Sequence, residues 1–260
     1  MTSNNSALLR WMNIVAFVLT VIVNSLAGST TLIGGVNTAF ISDSNPTLIT
    51  PAGYTFAIWG IIYILLGAFV IYQALPRQRA KPYHKQIGWL FVLSSIINIC
   101  WLFLWQYELL APSLILMFLL LATLILIYTR LGIGKSTPTF QEKIAVHTPF
   151  SVYLGWITIA SIANVAVTLV SLNWDGFGIN PETWTLIITI IALLLTLIVT
   201  ATRKDIAYGL VVVWALLGIA SKQTNTNIVT AAQASAIIIL LALVGITILT
   251  ILKKQQSAKQ

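Results

Sequence analysis

Apolar runs too long for any soluble core recur eight times along this chain, and nearly every positive charge falls in alternate gaps between them. A helix needs about 20 mostly apolar residues to cross the hydrocarbon of a bilayer. Such stretches lie near 11–33, 53–75, 87–107, 111–129, 147–172, 184–202, 206–221 and 228–252. The pattern predicts an all-α polytopic membrane bundle of eight transmembrane helices. Composition agrees, because 58% hydrophobic and 8% charged residues leave too little polar surface for a soluble domain of this length.

The net charge of +8 follows from the same arrangement. In a soluble chain such a balance points to nucleic acid, but here the basic residues border spans and form no groove, which excludes a nucleic-acid partner and leaves the bilayer as the one implied by charge. One side collects Arg10, then Arg77, Arg79, Lys81 and Lys85, then Arg130, Lys135 and Lys143, then Arg203 and Lys204, and finally Lys253, Lys254 and Lys259; Lys222 stands alone on the other. The positive-inside bias places both termini in the cytoplasm of a multi-pass protein of the cell membrane, with an even number of spans.

The first run starts after Arg10, is long enough to span and lacks a small-x-small cleavage site, so it is expected to persist as the first helix. Cys100 lies inside the third run, where it reads as a small packing residue. No gap is long enough for a separate catalytic domain. The gap at 34–52 carries Asn37, Asp43, Ser44, Asn45, Pro46 and Pro51, which favour turns; it reads as a lid over the bundle mouth or as an ordinary connector.

Within hydrocarbon, polar side chains are tolerated only where they meet protein or trapped water, so the polar residues inside spans are informative. They are neutral: Tyr63, Asn98, Tyr153, Thr158, Asn164 and Tyr208. Asp43, Glu108, Glu142, Asp175, Glu182 and Asp205 all fall in gaps or at span ends, which argues against a proton relay or ion coupling. His84 and His147 sit at the cytoplasmic border and read as interfacial, so no metal site is expected. Among nine tryptophans, Trp11, Trp89, Trp105, Trp174 and Trp184 lie near span ends as belt anchors, while Trp59, Trp101, Trp156 and Trp214 lie deeper.

Helical spacing groups the deep residues. Trp59, Tyr63 and Gly67 recur every four residues and share one stripe; Tyr153, Trp156, Ala160 and Asn164 form a second; Asn98 and Trp101 share a face. Turned inward, these stripes would wall a cavity with aromatic rings and a few neutral hydrogen-bonding groups, suited to a flat apolar ligand. Alternatively, Asn98 and Asn164 simply bond neighbouring helices.

The same residues carry a resemblance. Pro51 followed by Trp59, Tyr63 and Gly67 resembles the Pro-Pro…Trp-x-x-x-(Leu)-Tyr-x-x-x-Gly signature of the TspO/MBR family, the tryptophan-rich sensory and translocator proteins. Asn98-Ile-Cys-Trp101 is similar to that family's Leu-Asn-x-x-Trp, and Tyr153-Leu-Gly-Trp156 through Ala160 to Asn164 to its Pro-Tyr-x-x-Trp-x-x-Phe-Ala-x-x-Leu-Asn. The departures are one proline in place of two, Val152 where the helix-five proline is expected, Ile159 for Phe and Ala163 for Leu.

The resemblance covers residues 1–173 as a five-helix core and leaves 174–260 as three additional helices and a short basic tail. It implies a non-catalytic sensory or binding protein for a porphyrin, haem or other flat lipophilic ligand, with Trp59, Tyr63, Asn98, Trp101, Tyr153, Trp156, Ala160 and Asn164 lining the site and no obligate cofactor. A facilitator for a small uncharged solute and a porphyrin-degrading enzyme are the alternatives. Asn45-Pro46 and Asn180-Pro181 hint at a four-plus-four duplication, and small residues such as Gly28 at a homodimer contact.

Overall fold

The computed structural model describes residues 3–257; Lys259 of the basic tail lies outside them. Eight principal helices follow one another: α1 (Ser3–Ser29), α2 (Ile58–Ala74), α3 (Leu90–Gln106), α4 (Leu110–Arg130), α5 (Thr148–Ser171), α6 (Pro181–Arg203), α7 (Ile206–Lys222) and α8 (Thr226–Ser257). Among the described residues there is no strand. Among the described residues, six helical stretches are long and apolar enough to cross a membrane, while α3 and α7 are shorter apolar helices of 17 residues. At about 1.5 Å per residue these two reach about 26 Å, the lower limit for a crossing.

Helix contacts define the architecture. α1 packs on α2 and α3, α3 on α4, α4 on α5, and α5 back on α2, so the first five helices close into a ring. α7 packs on the outside of α5, and α6 and α8 pack on α7 and on each other. This arrangement does not follow a four-plus-four division, since α5 belongs to the ring. The two Asn-Pro pairs also do different things: Asn180 caps the start of α6 by accepting from the Thr183 N–H at 2.7 Å, whereas Asn45 ends the short helix Thr38–Ser44.

Neutral polar pairs fasten the ring from within. Asn13 donates to Gln73 at 2.9 Å between α1 and α2, and Asn24 donates to Asn98 at 2.8 Å between α1 and α3. Such pairs are worth about 1 kcal/mol each in a membrane. Gly67 is met by the ring of Phe17 from α1, 3.2 Å from where a Cβ would stand, so the close approach expected there comes from a side chain and not from backbone. Cys100 is exposed on the helix exterior; the expected packing role does not hold.

At the end of the bundle where most basic residues gather, the two histidines are buried within the protein. His84 is 8% exposed and its Nε2–H donates to the Gln78 carbonyl at 2.9 Å; His147 is 6% exposed, in a π-helical turn leading into α5. Burial, opposed by the Gln78 bond and assisted by the nearby Arg10, holds His84 below the ordinary imidazole value. The unfolded chain takes up a proton at about pH 6.5 while the folded chain resists it, so His84's contribution to stability is complete above that pH and is lost as the pH falls through the depressed folded value. Thermal melting in detergent should therefore drop between pH 8 and pH 5.5, and His84→Gln should flatten that dependence.

Candidate functional site

The ring encloses a chamber in its half opposite the basic end. Its wall is built from Trp59 on α2, Trp101 and Trp105 on α3, Met117 on α4, and Trp156, Ile159, Ala160, Ala163, Asn164 and Val167 on α5. Ser42, Pro51 and Phe56 roof it from the 30–57 segment, so that segment is a lid. The free space is about 40 Å³, against about 300–1,000 Å³ for a typical ligand pocket. A ligand of ordinary size therefore requires the wall or the roof to move.

The tryptophans are arranged edge to face around the space. Trp59 meets Trp156 at 6.3 Å between ring centroids with an interplanar angle of 81°, and Phe56 meets Trp156 at 5.9 Å and 80°. Trp101 and Trp105, one helical turn apart on α3, stack at 5.7 Å and 27°. These geometries pair the electron-poor edge of one ring with the electron-rich face of the next, or offset the faces, and each adds about 1 kcal/mol beyond burial.

Five of the eight residues singled out from the sequence line the chamber: Trp59, Trp101, Trp156, Ala160 and Asn164. The other three stand behind it. Tyr63 stacks on Trp59 at 5.6 Å and 18°, and Tyr153 meets the same indole at 5.9 Å and 69°, so both brace Trp59. Asn98 is fully buried and accepts from Asn24, so it bonds a neighbouring helix and does not face the chamber.

Asn164 lines the wall, yet its amide is already engaged. Its Oδ1 accepts from the Trp101 indole N–H at 3.0 Å, and its Nδ2 donates toward Ser113 at 3.3 Å and Thr168 at 3.4 Å. It is a positioning residue that fixes the plane of Trp101. Trp156 differs: its Nε1 is buried and has no acceptor among the described residues. An indole N–H left this way costs about 1–3 kcal/mol, which an acceptor on a bound molecule would recover.

Trp105 corrects the sequence reading. At 5% exposure it is no belt anchor, and its indole N–H donates to the Thr38 carbonyl of the lid at 3.2 Å. Trp11 at 67% and Trp89 at 48% exposure lie on the outside of the bundle. The four-residue spacing of Trp101 and Trp105 is the available signal, overridden by proximity to the span end. Ser42, Phe56, Met117 and Val167 carry no pattern that marks them.

Beside Trp105, Gln106 ties down the first part of the lid. Its Nε2 donates to the carbonyls of Val36 at 2.7 Å and Ile33 at 3.0 Å. Gly34 allows this approach: its φ is +73°, and a Cβ there would collide with the Gln106 carbonyl oxygen.

An all-helical bundle with six stretches long and apolar enough to cross a membrane, and a roofed aromatic chamber, defines an integral membrane protein. A family profile described as TSPO-like protein matches residues 10–248, and the chain belongs to that family. The match runs on through α6 and α7 and into α8, so these helices lie within the matched region. No curated protein and no solved structure matches the chain.

Proposed function

We propose that this protein is a receptor for a flat lipophilic ligand of the tetrapyrrole class, taken up into the aromatic chamber and sensed through the lid. In this reading all eight principal helices cross the cell membrane, the basic end faces the cytoplasm with both termini, and the protein binds its ligand without turning it over. The observation that carries the proposal is the buried, unpartnered indole N–H of Trp156, a residue of a chamber wall that is mostly aromatic and aliphatic and whose Asn164 amide is already engaged. Burial of the ligand's faces supplies most of the affinity, at about 25 cal/mol per Å² of apolar surface, and the N–H selects a molecule with an acceptor at its edge. A carbonyl or carboxylate at the rim of a porphyrin meets that requirement.

Competition binding with protoporphyrin IX in lipid nanodiscs tests this. Trp156→Phe keeps an aromatic face and removes the donor, so it should weaken binding about tenfold, equivalent to about 1.4 kcal/mol. Unchanged affinity in that variant would remove the assigned role of Trp156.

A further inference from the structure

The lid is held from two sides by different parts of the chain. Its first residues are fixed by α3, through Trp105 to Thr38 and Gln106 to Ile33 and Val36. Its later residues, 43–55, are fixed by α7. Lys222 at the end of α7 pairs with Asp43, and Gln223 donates to the carbonyls of Thr47 at 3.1 Å and Thr50 at 2.9 Å. The Ala52 N–H donates to the Gly218 carbonyl at 2.9 Å, Tyr54 and Ser221 share a hydroxyl bond of 3.1 Å, and the Trp214 indole donates to the Thr55 carbonyl at 3.0 Å. Apart from the bond by which the chain runs on into α2, from the Ile58 N–H to the Thr55 carbonyl, the hydrogen bonds that tie 43–55 to the rest of the described residues go to α7 or to Gln223 just beyond it.

Close fit reinforces these bonds. Gly218 lets the lid lie directly on α7, since a Cβ there would collide with Thr55 Oγ1. The same contact accounts for the one basic residue on the wrong side of the charge pattern: Lys222 is the partner of Asp43. Because the roof residue Pro51 lies within this stretch and Ser42 and Phe56 flank it, lifting the roof parts it from α7.

We infer that α7 is a latch, and that the last three helices control access to the chamber enclosed by the first five. The inference rests on the chamber being the binding site, but its mechanical content does not need a ligand. A movement of α6, α7 and α8 relative to the ring would withdraw Lys222 and Gln223 and free residues 43–55, while the α3 anchor keeps the lid's first part in place as the hinge. An exposed ion pair is weak by itself. The latch acts through the set.

Thiol labelling of the chamber wall tests this in full-length protein in nanodiscs. On a Cys100→Ser background, Ala160→Cys places one thiol inside, and a cationic methanethiosulfonate reaches it from water only when the roof opens. Lys222→Ala with Gln223→Ala should speed labelling about tenfold. Asp43→Lys and Lys222→Glu should each speed it several-fold, and the two combined should return it to within about twofold of the parent, which distinguishes latch release from general loosening. Equal rates in parent and Lys222→Ala/Gln223→Ala protein, or failure of the charge swap to restore slow labelling, would overturn the latch. Accelerated labelling without any protoporphyrin binding would instead sink the ligand reading and leave the latch standing.

Discussion

Replacing Asp205 by alanine is expected to cost about 3 kcal/mol of stability, a large loss for a single side chain. Asp205 is 7% exposed, between the ends of α6 and α7, and three donors converge on it. Its Oδ2 accepts from the Tyr128 hydroxyl of α4 at 2.8 Å and the Ser151 hydroxyl of α5 at 2.6 Å, and its Oδ1 caps α7 through the Tyr208 N–H at 3.2 Å. One carboxylate thus joins the ring to the helix that packs outside it. Alanine strands two buried hydroxyls and removes a helix cap, each a recognised cost. Asp205→Asn retains an acceptor and should lose about half as much. Unfolding midpoints in detergent check both, with the ordering wild type, Asn, Ala as the expected result.

Asn164→Ala is expected to cost about 2 kcal/mol and also to impair the chamber. The substitution leaves the buried Trp101 N–H without its acceptor and takes a partner from Ser113. The indole of Trp101 is then free to turn, and its stack on Trp105 goes with it. The double consequence separates this residue from a simple packing position: melting falls, and ligand affinity falls further than the smaller wall alone requires. Ala163, which lines the same wall and has no hydrogen-bonding side chain, supplies the comparison, since Ala163→Gly should change affinity little.

Most of the helical layout is legible in the sequence because the bilayer imposes a single strong rule on backbone and side chain alike. The apolar run at 111–129 corresponds to α4 at Leu110–Arg130, and that at 206–221 to α7 at Ile206–Lys222. The apolar run at 53–75 corresponds to the stretch Gly53–Ala74 that is long and apolar enough to cross a membrane; its first five residues, Gly53–Ala57, form a 3-10 turn and the rest is α2. The deep tryptophans are legible through their helical spacing, which brings Trp59, Trp101 and Trp156 to one chamber.

What stays hidden depends on contacts between segments far apart in the chain. Asn98 and Asn164 look alike in sequence, each near a tryptophan, yet Asn98 accepts from Asn24 of α1 and lines no part of the chamber, its buried Nδ2 having no partner among the described residues, while Asn164 faces the chamber; only the neighbouring helix decides which. Trp105 misleads for the same reason, since the lid that covers it comes from residue 38. Asp205 reads as an ordinary gap residue until Tyr128 and Ser151 arrive from two other helices. Turn-forming residues serve a roof and a connector equally well, so the composition of 34–52 does not choose between them.

The central claim, that α2, α3 and α5 converge on a chamber that accepts a flat apolar molecule, is tested most directly by tryptophan fluorescence in nanodiscs titrated with protoporphyrin IX, comparing wild type with Ala160→Phe. The chamber wall at Ala160 has room for a methyl group and not for a phenyl ring within about 40 Å³ of free space. Saturable quenching in the wild type that is lost in Ala160→Phe is the predicted result. Quenching that never saturates, or that is the same in both proteins, would contradict it.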